Sequence, residues 1–187
     1  MADLDEPDDD LLARLARDEP RAAHELVARK LPRLLALAQR MLGQRAEAED
    51  VAQEAFLRVW NQAPKWRRGQ ARFDTWLHRV VLNLCYDRLR STRAAHEQAV
   101  DDVPDMPDAS PTPEQHVGND QRSERVAAAL ARLPARQREA LVLQYYQELP
   151  QADAAALMGI SVDALESLLR RARQGLRTQL LDEGPPP

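Results

Sequence analysis

One cysteine, six glycines and two phenylalanines in 187 residues leave little material for several kinds of protein. Cys85 stands alone, so no disulfide can close within the chain, and a reducing cytoplasm suits it. The histidines His24, His78, His96 and His116 show no metal-ligand spacing with one another or with Cys85. There is no glycine-rich phosphate loop and no nucleophile motif. The sequence thus offers no catalytic residues, no metal site and no cofactor site, and a non-enzyme is expected. No run approaches the ~20 apolar residues that cross a bilayer, and the N-terminus lacks the basic and apolar regions of a secretion signal. A cytoplasmic protein without membrane insertion is expected. β-branched runs are nearly absent while Leu, Ala, Arg, Glu and Gln abound, which points to an all-α fold.

Charge is present but unevenly placed. The net charge of −4 argues at first against nucleic acid. Residues 1–20 hold eight acids and two arginines, and residues 94–121 hold seven acids and no Lys or Arg. Between them, Arg58–Arg93 carries nine bases against two acids. A basic block between acidic segments points to a nucleic-acid surface with acidic tails that compete for it.

Helical periodicity predicts helices near Leu11–Arg17, Arg21–Leu42, Ala46–Asn61, Thr75–Arg93, Gln121–Arg132, Pro134–Tyr146, Pro150–Met158 and Val162–Leu181. Pro32 should kink or split the second of these. The stretch "VDDVPDMPDASPTPEQHVGND" has four prolines, six acids and almost nothing to bury, and reads as an extended or disordered linker. The expected organisation is an acidic tail (1–10), a helical domain (11–93), a flexible acidic, Pro-rich linker (94–121), a second helical domain (122–182) and a short tail (183–187).

In the second domain, "QADAAALMGISVDALESLLR" has the pattern of a helix-turn-helix. Ala154, Met158, Ile160, Leu165 and Leu168 take the apolar contact positions, Ala155 the close crossing, and Gly159 the turn. Leu165, Leu168, Leu169, Ala172 and Leu176 form the buried stripe of the following helix. Ser161 is a plausible N-cap and is also counted among the expected DNA-contacting residues of this motif. Asp163, Glu166, Ser167, Arg170, Arg173, Gln174 and Arg177 face outward, with Glu166 and Ser167 nearer the bases and Arg170, Arg171, Arg173 and Arg177 suited to phosphates.

In the first domain, Lys65, Trp66, Arg67, Arg68 and Arg72 make a basic loop carrying an exposed Trp. Arg79, Asn83, Tyr86 and Arg90 form a stripe on the next helix, beside a core face of Trp76, Leu77, Val80, Val81 and Leu84. Cations beside aromatic rings suit an unstacked single strand. The preceding helix, "DVAQEAFLRVW", buries Ala52, Ala55, Phe56 and Val59 but leaves Leu57 and Trp60 near its wet face with Asp50, Gln53 and Glu54.

The stretches "AEDVAQEAFLRVW", "FDTWLHRVVLNLCYDRLR" and "LARLPARQREALVLQYYQELPQADAAALMGISVDALESLLRRARQGLR", in this order around an acidic linker, resemble the extracytoplasmic-function (ECF) group of bacterial sigma factors over about Leu11–Leu181. The resemblance implies that Asp50–Trp60, with Asp50, Gln53, Glu54, Leu57 and Trp60, binds the clamp helices of the largest subunit of core RNA polymerase. It places melted minus-ten contacts on the loop Pro64–Phe73 and on Arg79, Asn83 and Arg90. It assigns the minus-thirty-five duplex and the polymerase flap to the second domain, and implies an inhibiting anti-sigma factor. Asp87 matches an acidic position of the family and is expected to pair with a nearby arginine. Many members carry Lys where this chain has Glu166 and Arg where it has Leu168, so no upstream DNA preference is transferred. A stand-alone helix-turn-helix regulator and a sigma-like adaptor that binds only proteins remain the alternative readings.

Overall fold

The computed structural model describes residues 7–67, 72–99 and 120–182, and among these no strand occurs. The first half comprises α1 (Pro7–Leu15), α2 (Pro20–Leu42), α3 (Arg45–Gln62), a 3₁₀ turn (Ala63–Lys65) and α4 (Phe73–Ala99). The second comprises α5 (Asp120–Ala131), α6 (Ala135–Leu141), a π-helical turn (Val142–Tyr146), α7 (Gln151–Met158) and α8 (Val162–Asp182).

Each boundary has a local cause. Pro20 occupies the first turn of α2, where its missing N–H costs nothing. Gly43 ends that helix at φ 78°, in the left-handed region that a Cβ disfavours, and its N–H returns to the Gln39 carbonyl. Pro32 neither splits nor ends α2, which runs through it; Pro32 lies on the exposed side, so the unmade bond faces water. α1 begins at Pro7, a turn before the expected Leu11, because Pro at the start and three acids in the first turn favour a helix N-terminus. α4 runs to Ala99 rather than stopping at Arg93, since "AAHEQA" consists of good helix formers. The expected linker falls on residues 100–119 for most of its length, outside the described residues.

α2 packs along α3 and α4, with α1 laid across α2 and the 3₁₀ turn. The stripe Ala48, Val51, Ala52, Ala55, Phe56 and Val59 of α3 is buried, as is the α4 face of Leu77, Val80, Val81 and Leu84. Trp76, expected in that core, is half-buried at its edge. In the second half α8 is the hub, touched by α5, α6 and α7. The halves also meet: α2 contacts α5, α6 and the π-helical turn, α4 contacts α7, and the buried apolar residues of both halves form one cluster.

Candidate functional site

Three surfaces carry the expected functional residues. On the first, α3 buries one stripe and turns Leu57 (61% exposed) and Trp60 (38% exposed) outward. The Trp60 ring stays edge-on to Phe56 at 5.7 Å, so it is braced rather than adrift. Both side chains line an open groove of about 690 Å³ completed by Val27, Leu31 and Leu35 of α2. Gln53 is exposed and lines it, Asp50 is exposed on the same helix but is not among the lining residues, and Glu54 pairs with Arg58 at 2.7 Å. The three α2 residues were not among the expected site residues. Their signal was present: positions 27, 31 and 35 repeat every four residues beside the core stripe of Leu26, Leu34 and Leu37.

The second surface is the basic block. Lys65, Arg67, Arg72, Arg79, Asn83 and Arg90 are exposed, while Arg68 lies outside the described residues. Trp66 corrects the expectation of an exposed ring. It is half-buried, edge-on to Phe73 at 5.5 Å and Trp76 at 5.7 Å, and its indole N–H donates to Asp9 Oδ1 at 2.9 Å. The neighbouring Asp8 holds Lys30 at 2.5 Å and Arg29 at 3.2 Å. Asp8 and Asp9, both 5% exposed, thus serve as docking groups of α1 rather than as part of a loose acidic tail. Asp87 pairs with Arg90, the local pairing expected for it. Tyr86 is half-buried and donates its phenol O–H to Glu139 of α6. Burial pushes that phenol above its ordinary range, with the Glu139 hydrogen bond and charge adding to the effect. Arg58, Asn83, Tyr86, Asp87 and Arg90 surround a cleft of about 560 Å³ closed on one side by Arg136 of the second half.

The third surface is a helix-turn-helix. Gly159 ends α7 at φ 65°, Ala155 is 2% exposed at the crossing, and Leu165, Leu169 and Ala172 are buried. Leu168 and Leu176 are only half-buried. Ser161, expected both to cap and to touch DNA, has its hydroxyl engaged as the cap: Oγ accepts from the Ala164 N–H at 3.2 Å. Asp163, Glu166, Arg170, Arg171, Arg173 and Arg177 are exposed and Ser167 half-buried. Asp163, Glu166, Ser167, Arg170 and Arg173 line one concavity of about 530 Å³, together with Gln144, Tyr145 and Gln151. Arg171 and Arg177 are not among its lining residues. Gln144 and Tyr145 escaped the sequence reading because the π-helical turn breaks the 3.6-residue period that would have placed them; Gln151 opens α7 and was read only as the start of the helix-turn-helix. Tyr145 is 52% exposed and its hydroxyl accepts from Arg173 at 3.4 Å.

Comparison with known proteins agrees with this layout. Residues 26–95 match the Sigma-70 region 2 family, and residues 123–176 match Sigma-70 region 4. The ECF RNA polymerase sigma factor SigE of Mycolicibacterium smegmatis is 34% identical over 157 residues, 83% of this chain and 60% of that protein. SigW of Bacillus subtilis is 30% identical over 154 residues, covering 78% of this chain and 82% of the relative. Among solved structures, CnrH in complex with the cytosolic domain of CnrY is 29% identical with a TM-score of 0.68, over 96% of this chain and 100% of that one. The sigma factor RpoE of Bartonella quintana, solved with the anti-sigma factor NepR, is 27% identical with a TM-score of 0.68, over 84% of this chain and 95% of that one. With both regions in order on one chain, and with relatives aligned across both, the protein belongs to the ECF RNA polymerase sigma factors.

Proposed function

We propose that this chain docks on core RNA polymerase through the α2–α3 groove and directs it to promoters. In this reading Asp50, Gln53, Glu54, Leu57 and Trp60 face the clamp helices. The basic stripe of Arg79, Asn83 and Arg90, with the loop from Lys65 to Arg72, takes the melted minus-ten strand. The outward face of α8 takes the minus-thirty-five duplex, and the second half touches the polymerase flap. The observation that carries the reading is the pairing of an exposed Leu57 and Trp60 with an apolar groove on the same helix that starts the basic block. A soluble helix that spends two large apolar side chains on its wet face is built for a partner.

An anti-sigma factor is the expected inhibitor. Support comes from CnrH and RpoE, each captured with a bound partner, RpoE's being an anti-sigma factor, and each like this chain across both halves. The same apolar groove would serve as its seat, since any helix covering Leu57 and Trp60 excludes polymerase.

The test is reconstitution. Purified protein and core polymerase are incubated with a random-sequence template library, and transcribed templates are selected. Specific initiation that needs both components is expected. Binding of duplex DNA by the protein alone, with no effect on the polymerase, overturns the reading in favour of a stand-alone regulator.

A further inference from the structure

The two flanks of the basic segment are tied to neighbouring residues of one further helix. Trp66 follows the 3₁₀ turn on one side of the segment, and Phe73 and Asp74 open α4 on the other. On the first side the Trp66 indole N–H donates to Asp9 Oδ1 at 2.9 Å. On the second, Asp8 Oδ2 holds Lys30 Nζ at 2.5 Å, and the same Nζ reaches Asp74 Oδ1 at 2.6 Å. Lys30 also lies over the Phe73 ring, 5.9 Å from its centroid. Asp8 and Asp9 sit in the first turn of α1, which precedes the region 2 match beginning at residue 26.

The docking of α1 alone does not call for these acids. Leu11, Leu12 and Leu15 are all buried and give the helix an apolar seat. Burying a carboxylate costs free energy unless donors meet it, and here the donors belong to the flanks of the segment or to the lysine that bridges to one of them. Asp8 and Asp74 face Lys30 and Arg29, two acids against two bases, so this group adds little net field to the basic surface.

We propose that Asp9 is a positioning residue for strand capture, with Asp8 as its counterpart at the other flank, so that Lys65, Arg67 and Arg72 meet a melted strand from fixed places. This rests on the sigma-factor reading, which supplies the strand. The proposal reverses the sign expected from charge alone. An acid bonded to the sequence neighbour of Arg67 should, by Coulomb attraction and repulsion, weaken the hold on phosphates, and its removal should tighten it. A positioning acid does the opposite: its removal frees the flank and weakens the hold.

The test uses holoenzyme made with the full chain. Its probe is a fluorescent single strand carrying the melted segment of a template selected with the unmodified holoenzyme. Asp9→Ala should bind this strand about tenfold more weakly, the order of effect of one lost hydrogen bond to a charged group. Asp8→Ala should act in the same direction. Asp9→Asn keeps an oxygen acceptor for the indole and should stay within about threefold of the unmodified protein. Affinity for core polymerase should not change, because Leu57 and Trp60 take no part in these bonds. Trp66→Phe removes the donor and leaves the acid, which preserves the test if Asp9→Ala fails to fold. Combined with Asp9→Ala it should add no further loss, since both delete one bond. Amide exchange at Trp66 and Arg67 should quicken in every variant lacking that bond, while exchange in α3 stays as it was. Unchanged or tighter strand binding by either alanine variant, Asp9→Asn as weak as Asp9→Ala, or a parallel loss of affinity for strand and polymerase overturns the positioning role. Failure of the unmodified holoenzyme to select any template overturns the sigma-factor reading instead, and the exchange rates still decide whether Asp9 holds the flank.

Discussion

Trp60 and Cys85 show how differently two apolar side chains of one domain are used. Trp60 is braced by Phe56 but keeps 38% of its surface in water, and Leu57 beside it keeps 61%. Truncating Leu57 to Ala should change folding stability by no more than about 0.5 kcal/mol. Trp60→Ala should weaken polymerase binding by about 2 kcal/mol or more, as anchor residues do, with a smaller loss in thermal stability. Comparable losses in a binding titration and a melting curve would show that Trp60 serves the core. Cys85, by contrast, is fully buried, and burial first and the Glu139 charge second push its thiol up to about 12. Its neutral form is favoured by folding, so its contribution to stability is fully present below the ordinary value of 9.0 and is lost as pH rises toward 12. Near neutral pH the native thiol should resist iodoacetamide and react only after denaturation, which mass spectrometry resolves. The sequence indicated both roles, because the helical period alone separates the wet positions of α3 from the dry positions of α4. It erred at Trp66, where a basic neighbourhood suggested an open ring; the partners Asp9, Phe73 and Trp76 come from separate segments that no local pattern connects.

At the scale of elements, the helix-turn-helix depends on Gly159 and the cap at Ser161. A Cβ at position 159 would meet nothing within 4 Å, so the cost of Gly159→Ala is conformational alone. Held at φ 65°, that substitution should cost about 1–2 kcal/mol, and thermal denaturation should show a lower midpoint. On α8, Arg170 lines the concavity with Glu166 and Ser167. Arg170→Ala should weaken upstream-element binding and reduce the salt slope by about one; an unchanged slope in a titration at several salt concentrations would remove it from the phosphate contacts. The helix-turn-helix was legible because its apolar spacing and the turn glycine Gly159 agree. The π-helical turn was not. A single extra residue in "VLQYYQ" shifts the register without changing composition, so Tyr145 and Gln147 took positions that a regular helix would have denied them.

At the scale of the whole molecule, the packing of one half on the other was invisible in the sequence, since Arg33 and Gln147 are 114 residues apart and neither belongs to a motif. Glu139 gives that contact a dependence on pH. Burial, its largest cause, pushes the carboxyl above its ordinary 4.5, while Tyr86 and Arg136 oppose the shift. A raised carboxyl stabilises the fold fully below 4.5 and progressively less as pH rises through the shifted value. Glu139→Gln removes this titration. The melting temperature of the unmodified protein, relative to the variant, should therefore fall from acid toward neutral pH. A rise instead would show that the ion pair with Arg136, at 3.1 Å, outweighs desolvation.

The rings of Trp66 and Phe73, 5.5 Å apart, bring together the two ends of a basic stretch only six residues long. Fixing the backbone of a residue costs roughly 1–2 kcal/mol, and for the residues carrying these two rings that cost is met in folding. If a strand contacts Arg67 and Arg72 as proposed, it meets cations adjoining two anchored positions, and more of its contact energy survives as affinity.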